Sequence, residues 1–326
     1  MMPRLLTCLF LLLHAVTGAN GAFLFPQKDT TLKILHTSKE TLLISPHQVY
    51  SLGKKNISLK LHSDDAITDA VLQGNSLILA TATGLKQYDA GSFAAQPIKF
   101  PSVPVVALAT DQQQRLWVAT SVNGCFRQVA PDSFSMVMNI PGVYTLRSTA
   151  DSNVWIGTNV GMYCINGNTL AVTRYAEEGY SGYELPDNLV EKIFPDEASN
   201  IWVIMPEHVS FKKGNDYTGE IPSYDFVGDR NNVIQTIVSL GKGSYIFVTE
   251  QGCLLLPSSS LREEHHHNSE VFAENNTHAW KLSNKQLHSP AALENEPVLY
   301  ATRKGKDLYF VTPSGGWTIG MKQLLH

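Results

Sequence analysis

Few residue patterns in this chain have the types and spacing that chemistry needs. His265-His266-His267 stands beside Glu263 and Glu264 and offers donors to a divalent cation. Adjacent histidines cannot all turn to one ion with good geometry, so the run is expected to bind metal only adventitiously. Asp111, Asp151 and Asp196 recur once per forty residues or so. A calcium loop needs several oxygen ligands close together. A short acid just after a strand more simply bonds its own backbone two residues on and sets a tight turn. Cys125, Cys164 and Cys253 are expected to be small apolar residues without a disulfide. No Gly-x-Ser-x-Gly, HExxH, phosphate loop or paired-carboxylate motif occurs. No catalytic residue, metal site or cofactor is therefore expected, and the chain is read as a non-enzyme.

The better candidates suit binding. Tyr180, Tyr183 and Glu184 lie in a long polar stretch from Glu178 to Asn188. Asp229, Arg230 and Asn231 form a second polar stretch, and His208 follows Glu207 between two apolar runs. Such side chains hold polar or glycan-like ligands by stacking and hydrogen bonding. Scattered along a chain they are ordinary loop residues, so their meaning depends on the elements that place them.

Those elements repeat. Asn153-Val154-Trp155-Ile156-Gly157-Thr158, Asn200-Ile201-Trp202-Val203-Ile204 and Arg115-Leu116-Trp117-Val118-Ala119-Thr120 are short apolar, β-branched and aromatic runs between polar turns, and each reads as a strand. Another short apolar run precedes and follows each. Weaker copies put the tryptophan slot at 42, 78, 117, 155, 202, 246 and 309, at intervals of 36, 39, 38, 47, 44 and 63. Periods near forty, with several strands per unit and no helical pattern, predict an all-β fold, a seven-bladed β-propeller. The last unit is one strand short, and Phe23-Leu24-Phe25 is placed to supply it, which removes an exposed sheet edge. The long last interval predicts a surface insertion within residues 257–296.

Residues 104–212 carry a more specific signature. Leu185-Pro186-Asp187-Asn188-Leu189-Val190 leads through Asp196 to the Trp202 strand, and Trp155-Ile156-Gly157-Thr158 is followed by Gly161-Met162-Tyr163. This order resembles the two-component regulator propeller repeat. The resemblance implies an extracytoplasmic sensor propeller of the kind found in hybrid histidine kinases of Bacteroidetes, here without the kinase. It also implies a ligand such as a glycan or other small polar molecule, or a periplasmic protein partner. A truncated sensor remnant and a propeller lyase or hydrolase are the alternatives. No pair here aligns with the His and Glu that streptogramin lyases use. Propellers bind at the channel mouth, built by loops between blades and between second and third strands. On this strand reading the mouth includes Tyr180, Tyr183, Glu184, His208, Asp229, Arg230 and Asn231, with His47, Glu250 and Gln251.

The remaining composition sets the address. Arg4, an apolar run from Leu5 to Val16 and small residues from Thr17 to Ala22 have the order of a secretory signal, cut near residues 19–22. The run is too short to span a bilayer, which takes roughly 20 residues. Residues 1–21 are thus read as signal and 22–326 as a single propeller, periplasmic or secreted. The 326 residues carry 25 basic and 29 acidic side chains. That balance disfavours nucleic acid, which requires a basic footprint. No later stretch is apolar enough for a membrane span.

Overall fold

The computed structural model describes residues 21–25, 31–52, 57–177, 185–214, 223–224, 233–258 and 279–324. They form seven four-stranded antiparallel sheets arranged as a seven-bladed propeller. The innermost strands are Lys33–His36, Ile67–Gln73, Val105–Thr110, Val143–Ser148, Lys192–Pro195, Ile234–Gly241 and Tyr300–Lys304, in blades one to seven. Blade seven takes its outermost strand from the other end of the chain. Ala22–Leu24 pairs with Gly315–Gly320, matching Ala22 to Trp317 and Phe23 to Gly316. The Phe23 ring lies where a side chain on Gly316 would stand: a Cβ there would meet Phe23 Cζ at 2.5 Å.

Packing follows from the repeat. Each pair of neighbouring blades shares one buried apolar cluster, so the core is a ring of seven interfaces. The second strand of each blade is buried on both faces, which is why these runs are continuously apolar. Trp117, Trp155 and Trp202 are buried between blades, as expected of aromatics recurring at one slot. Asp111 accepts hydrogen bonds from the Trp117 indole at 2.8 Å and from the Arg115 backbone N–H at 3.0 Å. This turn acid thus also satisfies a buried donor.

The turn between second and third strands is built alike in five blades. A buried threonine, Thr81, Thr120, Thr158, Thr249 or Thr312, donates its hydroxyl to the carbonyl of the glycine that opens the third strand. That glycine is required where the fourth strand's backbone passes close by. At Gly161, with φ +109°, a Cβ would lie 2.4 Å from the Tyr175 carbonyl oxygen.

Part of residues 257–296, where the insertion is expected, belongs to the propeller. Trp280–Leu282 is the outermost strand of blade six, and Leu287 and Leu293 are buried in the cluster between blades six and seven. The Trp317 indole donates to the Leu287 carbonyl at 2.7 Å. The sequence signal was weak because this strand is short and exposed. Cys125, Cys164 and Cys253 are free thiols, and burial pushes each up to about 12. Among the described residues no helix is long and apolar enough to cross a membrane.

Candidate functional site in the central channel

The innermost strands enclose a central cavity of about 860 Å³, lined from all seven blades. Its lining is set by an irregularity repeated in every blade. In blades two, three, four and six the ladder slips by one residue near the start of the innermost strand, leaving Thr68, Val106, Tyr144 and Gln235 as the extra residue. In blades one, five and seven the N–H of Leu32, Glu191 or Leu299 bonds the same second-strand residue that its successor opposes. Two residues therefore face one in each blade, a β-bulge, which re-aims side chains. All seven bulge residues line the cavity. So do their successors, Lys33, Asp69, Ala107, Thr145, Lys192, Thr236 and Tyr300.

The successor ring holds the charge cluster. Asp69 is buried. Its Oδ1 accepts from Lys33 Nζ at 2.7 Å and from the Ala70 N–H at 2.8 Å; its Oδ2 accepts from the Leu108 N–H at 2.9 Å. Arg147 of blade four brings its Nη1 to 3.8 Å from Asp69 Oδ2. Burial alone would raise the Asp69 carboxyl, but Lys33, Arg147 and these hydrogen bonds outweigh it and hold the group below the usual carboxylate range. Tyr300 of blade seven sits in the field of the same groups. Burial pushes its phenol up, with Arg147 opposing and Asp69 adding to the shift. Blades one, two, four and seven thus converge on one polar centre.

Farther along the channel a second pair forms. Arg303 Nη1 bonds Glu197 Oε1 at 3.2 Å and the Ser239 carbonyl at 3.0 Å, and Arg303 Nε bonds the Gly305 carbonyl at 2.9 Å. Lys192 Nζ donates to the Ile234 carbonyl at 2.7 Å. Among the described residues, four cations and four carboxylates line the cavity, with no histidine. Among the described residues no group of three or more His, Cys, Asp or Glu could hold a metal ion.

Of the residues expected at the mouth, Tyr180, Tyr183, Glu184, Asp229, Arg230 and Asn231 lie outside the described residues, as does the histidine run. His208 is half-buried in the turn between the second and third strands of blade five, where the Met205 N–H bonds its carbonyl at 2.9 Å. It is not among the residues lining the cavity. Sequence reasoning favoured loops and passed over Lys33, Asp69, Arg147 and Lys192. A signal existed: each is a charge inside or at the edge of an apolar strand, where a solvated side chain has no obvious place.

No protein-family model matches the chain, and no curated protein matches it. Solved structures do. The chain is similar to the extracellular domain of the hybrid two-component system BT4673 of B. thetaiotaomicron, with a TM-score of 0.67 at 14% identity, over 92% of this chain and 39% of that one. The corresponding domain of BT3049 from the same organism gives 0.62 at 16% identity, over 90% and 40%. Virginiamycin B lyase of Staphylococcus aureus gives 0.65 at 11% identity, over 91% and 97%. The chain spans about two-fifths of the length of the two-component structures. At these identities the likeness is one of fold. The propeller carried by extracellular domains of hybrid two-component systems, which the repeat signature resembles, is the fold this chain adopts.

Proposed function

We propose that the chain is an exported, non-enzymatic propeller that binds a small polar ligand in its central channel, as the sensing part of a signalling system. The observation that carries this reading is the cavity itself. Every blade places two side chains in it, and the polar centre of Lys33, Asp69, Arg147 and Tyr300 costs desolvation that packing alone does not require. A concave site with a few convergent polar groups is the usual form of a small-ligand site. The fold likeness to extracellular domains of two-component systems supports the address and the sensing role.

A thermal-shift screen of the purified chain against saccharides and divalent cations tests this. A ligand at 100 times its Kd stabilises the native state by about 2.7 kcal/mol, a rise of roughly 4–5 °C for a domain of this size. Absence of any shift across neutral and charged saccharides would overturn the reading.

Coverage of nearly the whole of a lyase propeller supports a second reading, a lyase acting in the same channel. That reading requires a proton-transfer group beside the ligand. Among the described residues, Asp69 is held ionised by its neighbours and no histidine lines the cavity. Mass spectrometry of a stabilising ligand after prolonged incubation separates the two: recovery unchanged supports binding, and a cleaved product supports the lyase.

A further inference from the structure

We propose that the channel selects ligands that carry a carboxylate, and that Arg147 is the residue that receives it. The inference rests on the channel being the ligand site and names the ligand's chemistry.

The argument is an account of donors and acceptors. Although cations and carboxylates balance among the described lining residues, most already have a hydrogen-bond partner; among them only Arg147 and the exposed carboxylate of Glu191 have none beyond a chain neighbour. Asp69 has Lys33 and two backbone N–H groups. Glu197 has Arg303. Asp196 accepts from the Asn200 side chain at 2.8 Å and the Tyr245 hydroxyl at 2.8 Å. On the cationic side, Lys33, Lys192 and Arg303 each donate to an acceptor of the lining or of a neighbouring strand. Arg147 is different. Its one hydrogen bond among the described residues runs from Nη1 to the carbonyl of its own neighbour, Leu146, at 2.8 Å. Asp69 at 3.8 Å is an ion-pair neighbour beyond hydrogen-bond reach.

A guanidinium has five N–H donors in a planar fork. Four of those of Arg147 make no hydrogen bond among the described residues, on a side chain 31% exposed and facing a cavity. That fork matches a carboxylate, which accepts two parallel N–H bonds. Three residues earlier on the same strand, the bulge residue Tyr144 is 51% exposed in the same lining. Its ring offers a flat apolar face in the same cavity as the fork, a combination suited to an acidic saccharide. Asp69 does not repel such a ligand strongly, because Lys33 and two N–H groups already neutralise it; Glu191, the other carboxylate of the upper lining, is exposed to solvent and lies in the field of Lys192.

The test uses the whole chain and a matched pair of probes: digalacturonate and its dimethyl ester, which differ in charge, with neutral disaccharides alongside. Calorimetric titration is expected to show the acid binding about 10- to 100-fold more tightly than the ester, the range of a charge-assisted hydrogen bond. Arg147→Gln is expected to erase that difference, and Arg147→Lys to restore only part of it, since an ammonium lacks the fork. Melting of each variant without ligand checks that it is folded. The acid–ester comparison on the unmodified chain needs no variant at all. Equal affinity for acid and ester, or an acid preference intact in Arg147→Gln, overturns the inference while leaving a channel that binds ligand. Binding of neutral disaccharides but no acid does the same. Absence of binding by every probe overturns both this inference and the function on which it rests.

Discussion

Replacing Asp69 by alanine is the sharpest probe of the channel's electrostatics. The carboxylate is 8% exposed and joins three blades through Lys33 of blade one, its own strand in blade two and the Leu108 N–H of blade three. Alanine removes the acceptor for two backbone N–H groups and leaves the Lys33 ammonium, only 19% exposed, without its partner. Breaking a buried ion pair by removing one member costs about 3–5 kcal/mol. The cavity admits water, which favours the lower end, so a loss of about 3 kcal/mol is expected. With an unfolding entropy near 2.1 cal/mol/K per residue, a chain of this size loses roughly 5 °C in Tm. Calorimetric melts of Asp69→Ala, Lys33→Met and the double variant provide the assay. Most of the loss reflects a stranded charge, so the double variant should cost clearly less than the sum of the singles, with a coupling of about 1–2 kcal/mol. Additive singles, or a drop below about 1 °C for Asp69→Ala, would refute the account of this cluster.

Two further outcomes are expected. His36 is half-buried against Tyr309, and burial, with Lys304 second, pulls its imidazole down to about 4 from 6.5. Its folded-state value is depressed, so the stability it contributes is present above pH 6.5 and lost as the pH falls through about 4. Urea midpoints between pH 7 and 4 should therefore fall less steeply for His36→Gln than for the parent chain; parallel slopes would contradict this. Phe23→Ala removes the ring that seats the outermost strand of blade seven. Faster amide exchange is expected at Trp317 and at Thr318, whose N–H bonds the Gly21 carbonyl at 3.1 Å, while blades three to five keep their protection. Unchanged exchange at Thr318 would show that the strand is held by other means.

The ring was legible because its period is carried by large buried side chains. Trp117, Trp155 and Trp202 mark the slot, and the Gly-Met-Tyr after Trp155 marks the turn and third strand. Closure was legible because the last unit lacked a strand and Phe23-Leu24-Phe25 had the right character. The outermost strand of blade six was not, since Trp280–Leu282 is exposed and three residues long. The channel centre was not legible for a different reason. Lys33, Asp69, Arg147 and Tyr300 come from four separate repeats, and nothing local in any one of them announces the others. The bulge adds to this. It shifts the alternation of the innermost strand by one residue, so a simple in-and-out reading puts Thr68 and Asp69 on opposite faces although both line the cavity.

That same irregularity separates two tasks the polypeptide has to perform. The seven extra residues, Leu32, Thr68, Val106, Tyr144, Glu191, Gln235 and Leu299, differ in size, polarity and charge although they occupy equivalent places. Apart from Val106, none packs into the clusters between blades. The scaffold therefore tolerates chemical diversity at these seven positions without disturbing the interfaces that hold the ring. They form a panel of independently adjustable contacts on a rigid frame. A library randomised at those positions alone should yield folded propellers with altered ligand preference, which makes the collar of bulges a natural place to re-engineer recognition.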